Sequence, residues 1–422
     1  MSCKQNLFRT KWSMAIFAAI VILAGSALAV GQTERVVHRF QGGEDGSGPA
    51  GGLISDNAGN LYGTTGGGGA SNHGTVFELS PQDGHWSKTI LYSFTGGNDG
   101  GFPFGELIFD QAGNLYGTTV NGGSQAGGTV FQLKPRGSTW SETVVSNFVN
   151  NPLVGGLVFD KAGNLYGATY NEGARGFGEI FQLTPLQGGG WTQTVIYSFN
   201  GHKGGNPLSG PIISEAGNLY GVLQEGGGTN YVGAVYQLKA PATKGGAWTE
   251  RVLYNFKGGS SDGAEPSGRL VFDGKGHLDG VTRLGGPSNE GTVFQLTRQG
   301  TSWNEAVLYS FCAQSNCPDG AQPQATLVVD GKGNVYGTTL YGGNCYSCGT
   351  VFQLTPPANQ GGSWTETVIH NFTATGGDGN MPVAGLLRGA HGSLWGTTPT
   401  GGKIEGECAR TLGCGTVFKV LP

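Results

Sequence analysis

A tetrapeptide, Gly-Asn-Leu-Tyr, recurs with variations seven times along this chain, and its spacing limits what the chain can fold into. The seven copies begin at Gly59, Gly113, Gly163, Gly217, Gly276, Gly333 and Gly392. The mean repeat is therefore about 55 residues, which is typical of one four-stranded blade of a β-propeller. We predict an all-β fold in which seven small sheets form a closed ring.

One repeat can be divided into four consecutive strands. In residues 105–148, two short apolar runs flank the polar turn 111–114, which predicts a hairpin. The segments 128–133 and 143–148 supply the third and fourth strands. The chain contains 82 glycines, which we place in the turns, where positive φ is needed. Equivalent blades are predicted at 51–94, 105–148, 155–199, 209–256, 267–311, 324–372 and 384–421.

The seventh repeat lacks its last strand, and the start of the chain has a segment that matches the missing piece. Residues 34–40 have almost the same sequence as residues 250–256, which form the fourth strand of an earlier repeat. If residues 34–40 pair with the last repeat, no blade is left with an incomplete sheet. We therefore predict that this segment closes the ring.

The first 29 residues have the three parts of a secretory signal peptide. These parts are the basic residues Lys4, Arg9 and Lys11, the apolar run 14–24 and the small-residue pattern Ala27-Leu28-Ala29. An uncleaved anchor is the alternative, but the apolar run is shorter than the ~20 residues of a spanning helix. We predict a secreted protein, extracellular or periplasmic, with one domain over 30–422 and no membrane span.

Charge and cysteine content agree with this location. The net charge is −4 and only 12% of residues are charged, so no basic surface for nucleic acid is expected. After the signal peptide, six cysteines remain in three close pairs, Cys312 with Cys317, Cys345 with Cys348, and Cys408 with Cys414. We predict three local disulfides. The alternative is a zinc site made by the last four thiolates.

The repeated motifs resemble a known family. Gly-Leu-Ile-Phe-Asp-x-Ala-Gly-Asn-Leu-Tyr-Gly-Thr-Thr, followed by Gly-Thr-Val-Phe-Gln-Leu, is similar to the GloVer tandem-repeat family of secreted bacterial proteins. The family is also called choice-of-anchor, because some members carry C-terminal surface anchors. The resemblance covers residues 34–422. It implies the propeller fold and export, and it implies no particular activity.

The connections of a four-stranded blade lie alternately on two faces of the ring. We call one the loop face, which carries the loops between second and third strands and the connections between blades. Its irregular residues are the candidate ligand-binding set: His73, Asp99, Phe102, Glu106, Tyr170, Tyr231, Arg269, Glu290, Tyr341 and Tyr346. Glu106 and Arg269 replace glycine at the start of the innermost strand, so we expect them near the channel mouth.

The other face, here called the turn face, repeats an aspartate in its tight turns. These residues are Asp56, Asp110, Asp160, Asp273 and Asp330. We interpret them as structural, because an aspartate can accept hydrogen bonds from its own turn. A calcium loop would need an alternating run of oxygen ligands, which is not present. We expect no metal and no cofactor.

The sequence contains no His-Glu-x-x-His, phosphate-binding loop or Gly-x-Ser-x-Gly motif. The predicted function is therefore non-catalytic binding of an extracellular glycan or protein through the loop face. A purely structural surface protein is one alternative. A carbohydrate-active enzyme, either a glycoside hydrolase or a lyase, is another. It would use carboxylates at the channel mouth, such as Glu106 with Glu290 or Asp99.

Overall fold

The protein is a ring of seven antiparallel sheets, which confirms the predicted seven-bladed β-propeller. The computed structural model describes residues 34–149, 155–226, 231–243, 245–359, 361–373, 375, 377–410 and 412–422. The predicted signal peptide lies outside these residues. Within blades 1 to 6 the strands follow chain order, from an inner strand at the axis to an outer strand at the rim, and in blade 7 the outer strand comes from the start of the chain.

The blades are numbered from the first complete repeat. Blade 1 consists of Ile54–Ser55, Leu61–Thr65, Thr75–Gln82 and His85–Ser93. Blade 2 consists of Gly101–Pro103, Ile108–Phe109, Leu115–Asn121, Ala126–Arg136 and Thr139–Val149. Blade 3 consists of Val158–Phe159, Leu165–Thr169, Glu179–Pro185 and Trp191–Ser198, and blade 4 of Ile212–Ile213, Leu219–Leu223, Ala234–Lys239 and Thr249–Asn255.

Blades 5 to 7 continue the pattern. Blade 5 consists of Gly263–Phe272, Leu278–Gly285, Thr292–Gln299 and Ser302–Ser310. Blade 6 consists of Ala321–Pro323, Val328–Val329, Val335–Tyr341, Thr350–Thr355 and Thr365–Asn371. Blade 7 consists of Leu387–Arg388, Leu394–Thr398, Thr416–Val420 and the N-terminal strand Arg35–Arg39. Gly379–Asn380 pairs with Thr400–Gly401, and short 3-10 turns lie at Gly43–Asp45, Ala390–Gly392 and Gly406–Arg410.

The N-terminal strand closes the ring, as predicted. Arg35–Arg39 pairs antiparallel with Thr416–Val420, with Arg35 opposite Lys419. Beyond the strand, the backbone N–H of Phe40 donates to the carbonyl of Gly415 over 3.0 Å. The seventh blade thus obtains its outer strand from the opposite end of the chain.

Each interface between neighbouring blades, here called a junction and numbered by its two blades, contains one buried aromatic pair. A ring at the end of the outer strand of one blade, or just after it, meets a ring in the third strand of the next, with centroids 4.9 to 5.3 Å apart. The pairs are Phe94/Phe131, Phe148/Phe181, Phe199/Tyr236, Phe256/Phe294, Phe311/Phe352, Phe372/Phe418 and Phe40/Phe77. Buried aromatic pairs stabilise by about 0.5–1.5 kcal/mol beyond their area. Junction 7/1 is thus packed like the others.

The second strand of each blade has a glycine at the point where it contacts the third-strand ring of this pair. At Gly63, a Cβ atom would lie 2.7 Å from Cζ of Phe77, closer than real Cβ contacts. The same packing recurs at the equivalent glycine of every blade: Gly117, Gly167, Gly221, Gly280, Gly337 and Gly396. The glycine of the Gly-Thr-Thr motif therefore allows the backbone of the second strand to pack closely against the ring.

The aspartates of the turn face have the structural role that their regularity indicated. Asp56 accepts hydrogen bonds from the backbone N–H groups of Ala58 and Asn60, both over 2.9 Å. Its second oxygen accepts from the Asn60 amide and the Tyr62 hydroxyl. Asp110, Asp160 and Asp330 make the same four contacts in their own turns. These side chains are fully engaged in turn formation.

The six cysteines form the three predicted local disulfides. They join Cys312 to Cys317, Cys345 to Cys348, and Cys408 to Cys414. The alternative zinc site is wrong, because the four thiols that it requires are used in the last two bonds. Of the helices in the described part of the chain, none has the length and apolar character to cross a membrane.

Candidate binding face

Glu106 and Arg269 come from opposite sides of the ring and pair with each other across its axis. The Nη1 atom of Arg269 lies 3.3 Å from Oε2 of Glu106, and Nη2 donates to the carbonyl of Pro211 over 3.1 Å. Arg269 lies within the inner strand Gly263–Phe272, at an irregularity in its pairing, and Glu106 lies in the gap between Gly101–Pro103 and Ile108–Phe109. The ion pair therefore links blade 2 to blades 4 and 5.

The axis around this pair is a depression of about 360 Å³, lined by the inner strands of all seven blades. Several glycines in its walls bring neighbouring backbones into close contact. A Cβ atom on Gly51 would lie 2.7 Å from the carbonyl of Gly105, and one on Gly105 would lie 2.9 Å from Cα of Gly155. Glu106 and Arg269 are the charged groups among the lining residues, and the others are glycines and uncharged residues such as Phe104.

We expect a double-mutant cycle on Glu106→Ala and Arg269→Ala to show a coupling of about 1 kcal/mol, the range of a partly exposed ion pair. Arg269→Ala alone should cost more than Glu106→Ala. The arginine also donates to Pro211, and its side chain covers Gly156. Chemical denaturation of the four proteins measures both quantities. Strictly additive free energies of unfolding would contradict the pairing.

The carboxylates predicted to converge with Glu106 have partners elsewhere. Asp99 accepts hydrogen bonds from the Tyr92 hydroxyl over 3.0 Å and from the backbone N–H of Thr95 over 2.8 Å. Glu290 accepts from Gln322 over 3.2 Å. Glu106, Asp99 and Glu290 therefore lie in three different surroundings, and the pairs named for an enzyme are not formed.

Carboxylates do converge at four junctions, a feature that sequence analysis missed. A glutamate of the outer strand faces an aspartate of the preceding inter-blade connection. Burial, and then the aspartate charge, raise the pKa of each glutamate to about 7. The pairs are Glu142 with Asp99, Glu305 with Asp262, Glu366 with Asp319 and Glu34 with Asp378. One oxygen of each glutamate is buried without a hydrogen-bond partner. These pairs lie between outer strands, away from the axial depression.

The loop face is built on a repeated backbone hydrogen bond at the junctions. In six blades, the residue before a proline near the start of the inner strand donates its N–H to a carbonyl in the preceding blade's loop. The bonds run from Gly48 to Cys414, Phe102 to His73, Asn206 to Phe177, Glu265 to Val232, Gln322 to Glu290 and Met381 to Cys348, over 2.7 to 2.9 Å. We call these six donor residues the frame positions.

Every frame position has a left-handed backbone, although only Gly48 is glycine. The φ angles of Phe102, Glu265, Gln322 and Met381 are between 53° and 55°, and that of Asn206 is 60°. Such a conformation costs a non-glycine residue about 1–2 kcal/mol. Gly48 shows that glycine meets the same geometry. The sequence signal was the recurring x-Pro pair, whose left-handed conformation could not be foreseen because residues before proline usually adopt extended conformations.

Four residues form a group at junction 5/6 that we call the tyrosine cluster: Tyr341, Tyr346, Glu290 and Gln322. The first three belong to the predicted binding set, and Gln322 is a frame position. The rings of Tyr341 and Tyr346 are stacked, with centroids 5.4 Å apart and an 8° angle between planes. The Tyr346 hydroxyl lies 3.5 Å from Glu290, which also accepts from Gln322. Tyr346 is 51% exposed, and the Cys345–Cys348 disulfide brackets it.

The other candidates lie at different junctions. At junction 1/2, Phe102 packs edge-on against His73, with ring centroids 5.4 Å apart. At junction 3/4, the Tyr170 hydroxyl donates to Gln224 over 2.9 Å. Burial, and then the charges of Glu225 and Glu265, raise the pKa of Tyr170. Tyr231 is 69% exposed and borders a cavity of about 360 Å³ with Phe177, Gln224, Glu225 and Glu265.

The fold resembles several solved structures at low sequence identity. A protein from Lactobacillus plantarum is 16% identical with a TM-score of 0.54, and the alignment covers 80% of this chain and 88% of that one. A polysaccharide lyase, an ulvan lyase, is 12% identical with a TM-score of 0.49, covering 82% and 88%. A gluconolactonase from Xanthomonas campestris is 14% identical with a TM-score of 0.38, covering 74% and 83%. At these identities the similarity concerns the fold alone.

Sequence comparison gives a family. No curated protein matches the chain. The family model described as the Gloeobacter/Verrucomicrobia repeat matches residues 26–236 and again residues 208–422. The two matches together span every blade and the closing strand. The chain therefore belongs to the Gloeobacter/Verrucomicrobia repeat family.

Proposed function

We propose that this protein is a secreted, non-catalytic propeller that binds an extracellular glycan through its loop face, at the tyrosine cluster. The observation that carries the proposal is the left-handed backbone at the frame positions, where side chains are kept despite the strain. Backbone strain that glycine would relieve is concentrated at functional sites in proteins. Phe102, Glu265, Gln322 and Met381 keep partly exposed side chains at this cost.

The chemistry of the tyrosine cluster suits a sugar. An exposed aromatic ring offers an apolar surface to the C–H groups of a pyranose, while carboxylate and amide groups can bond its hydroxyls. Tyr346 supplies the ring, and Glu290 and Gln322 supply the polar groups at hydrogen-bonding distance from one another. Because the disulfide brackets Tyr346, less side-chain and loop entropy is lost on binding.

The predicted export of the protein supports an extracellular ligand. Three disulfides are typical of proteins that fold in an oxidising compartment. The segment 1–29 has the composition of a secretory signal peptide. A glycan outside the cytoplasm is then the ligand class that both the predicted location and the tyrosine cluster favour.

We expect Gln322→Gly to weaken glycan binding at least tenfold while the free energy of unfolding changes by less than about 1 kcal/mol. The substitution removes the side chain that bonds Glu290 but relieves the left-handed backbone, so the two effects on stability oppose each other. Tyr346→Ala should weaken binding to a similar degree, because it removes the exposed ring. A glycan array with the mature protein identifies the ligand, and isothermal titration measures each variant.

Tyr231→Ala is the matched control, since Tyr231 is an exposed loop-face tyrosine outside the tyrosine cluster. It should bind as the wild type does. Unchanged binding in both Gln322→Gly and Tyr346→Ala would remove the proposed site. A wild-type protein that binds no glycan would remove the proposed function.

A further inference from the structure

We propose that Glu34, His370 and Asp378 bind a divalent transition-metal ion at junction 6/7, where the closing strand meets blade 6. Each side chain offers one ligand atom, and the three atoms lie within 4.8 Å of one another. One imidazole nitrogen and two carboxylate oxygens are a donor set that suits Zn²⁺ or Mn²⁺. This site was not expected from the sequence, and it is independent of the tyrosine cluster.

Asp378 accepts hydrogen bonds from Thr373 and from the backbone N–H of Gly379, whereas Glu34 and His370 each keep an unpaired atom. The Nε2 atom of His370 and the Oε1 atom of Glu34 are both buried and have no hydrogen-bond partner. Nε2 lies 3.5 Å from Oδ2 of Asp378, at the long limit for a hydrogen bond. The side chains of His370 and Asp378 are only 16% and 13% exposed. Unpaired polar atoms are costly in such surroundings, and a cation between them would remove the cost.

The equivalent position of a neighbouring junction, 7/1, is occupied by a cationic side chain. In junction 7/1, His38 and Asp45 correspond to His370 and Asp378, and Lys88 stands where Glu34 stands. The Lys88 ammonium lies 2.7 Å from Oδ1 of Asp45, and His38 lies 3.2 Å from Oδ2 of the same aspartate. That junction carries its own positive charge. Junction 6/7 replaces the lysine by a third ligand-type side chain.

Histidine distinguishes junction 6/7 from the other carboxylate pairs. Junctions 1/2, 4/5 and 5/6 have a tyrosine at the equivalent place, and its hydroxyl donates to the aspartate over 2.8 to 3.0 Å. These residues are Tyr92, Tyr254 and Tyr309. A tyrosine hydroxyl that donates to the aspartate satisfies it. His370 instead brings a nitrogen donor atom that is typical of metal ligands.

The position of the site gives the ion a structural consequence. Glu34 immediately precedes the closing strand, whereas His370 lies in the outer strand of blade 6 and Asp378 in the connection to blade 7. An ion bound by all three would tie the first strand of the propeller to blade 6, in addition to its pairing with blade 7. Binding to the folded state alone stabilises it in proportion to the logarithm of the ion concentration.

The test uses tag-free mature protein that has been treated with a chelator and then dialysed. We expect titration with ZnCl₂ or MnCl₂ to show one ion per chain with micromolar or tighter affinity, and the melting temperature to rise with ion concentration. CaCl₂ should bind at least tenfold more weakly, since calcium prefers oxygen ligands. His370→Tyr introduces the tyrosine that junctions 1/2, 4/5 and 5/6 have at this position, so the variant should fold. It should bind the ion at least 100-fold more weakly than the wild type.

Two further variants separate the site from general effects. Glu34→Lys copies the arrangement of Lys88, so it should lose ion binding while its metal-free melting temperature equals or exceeds that of the wild type. His38→Tyr is the matched control at junction 7/1 and should bind the ion like the wild type. Absence of binding by the wild type, undiminished binding by His370→Tyr, or equal loss in His38→Tyr would overturn the proposal.

Discussion

A mature chain that begins at residue 42 is expected to lose at least about 5 kcal/mol of stability, because it lacks the closing strand. The deletion removes Phe40, which is fully buried against Phe77. Loss of one buried phenylalanine side chain alone costs about 3–5 kcal/mol. It also removes the strand that pairs with Thr416–Val420, so that this edge is left exposed. Exposed edges promote association between chains.

Urea denaturation followed by circular dichroism measures the loss, and light scattering measures the association. A chain that begins at residue 34 keeps the whole strand and is the matched control, which should unfold like the mature protein. If the chain that begins at residue 42 unfolded at the same urea concentration as the control, the closing strand would not contribute to the ring.

Stability is expected to fall as the pH rises from about 4.5 to 8. Glu34, Glu142, Glu305 and Glu366 have pKa values near 7 in the folded protein, above their ordinary value of 4.5. Between these values the folded state binds more protons than the unfolded state, so stability decreases with pH. The contribution of each glutamate is complete below its unfolded pKa and is lost as the pH passes about 7.

The expected loss is about 1 kcal/mol for each glutamate after allowance for solvent screening, or about 4 kcal/mol in all. For a chain of this size the melting temperature should then be roughly 5 °C lower at pH 8 than at pH 5. A second loss of stability is expected at acidic pH, and it comes from Asp45. Burial alone would raise the pKa of Asp45, but hydrogen bonds from His38 and Lys88 outweigh burial and lower this pKa to about 2. Stability from Asp45 is present above about pH 4 and is lost at lower pH.

The double variant Glu142→Gln, Glu366→Gln should lose about half of this pH dependence and should be more stable than the wild type at pH 8. Glutamine is a suitable replacement, since Gln193 occupies the same place at junction 2/3. Glu405→Gln, at an exposed position, is the control and should leave the profile unchanged. Thermal melts in the presence of a chelator measure the profiles. A wild-type melting temperature that does not fall between pH 5 and pH 8 would contradict the raised pKa values of these glutamates.

Features that depend on local sequence or on comparison of repeats could be predicted. The closing strand was recognisable because residues 34–40 repeat the pattern of residues 250–256. The disulfides followed from short spacings, which leave few partners within reach. The role of Asp56 followed from its place in a tight turn. Each of these depends on contacts within one repeat or on a direct match between two.

Features that depend on the arrangement of blades could not be predicted. Glu106 and Arg269 were both selected as irregular residues, but their pairing requires blades 2 and 5 to face each other across the axis. Glu142 and Asp99 come together only because the outer strand of blade 2 packs against the connection that leads into this blade. The left-handed frame positions arise because their N–H groups must reach a neighbouring blade's loop.

The glycine contacts at the axis also determine how many repeats such a ring can hold. Gly51, Gly105 and Gly155 bring three backbones so close together that a single methyl group would collide. An eighth repeat, inserted by gene duplication, would widen the central channel, so that these glycines would no longer contact the neighbouring backbones. Relatives with more repeats should therefore carry larger residues at these three places, so that blade number can be inferred from the innermost positions of a sequence.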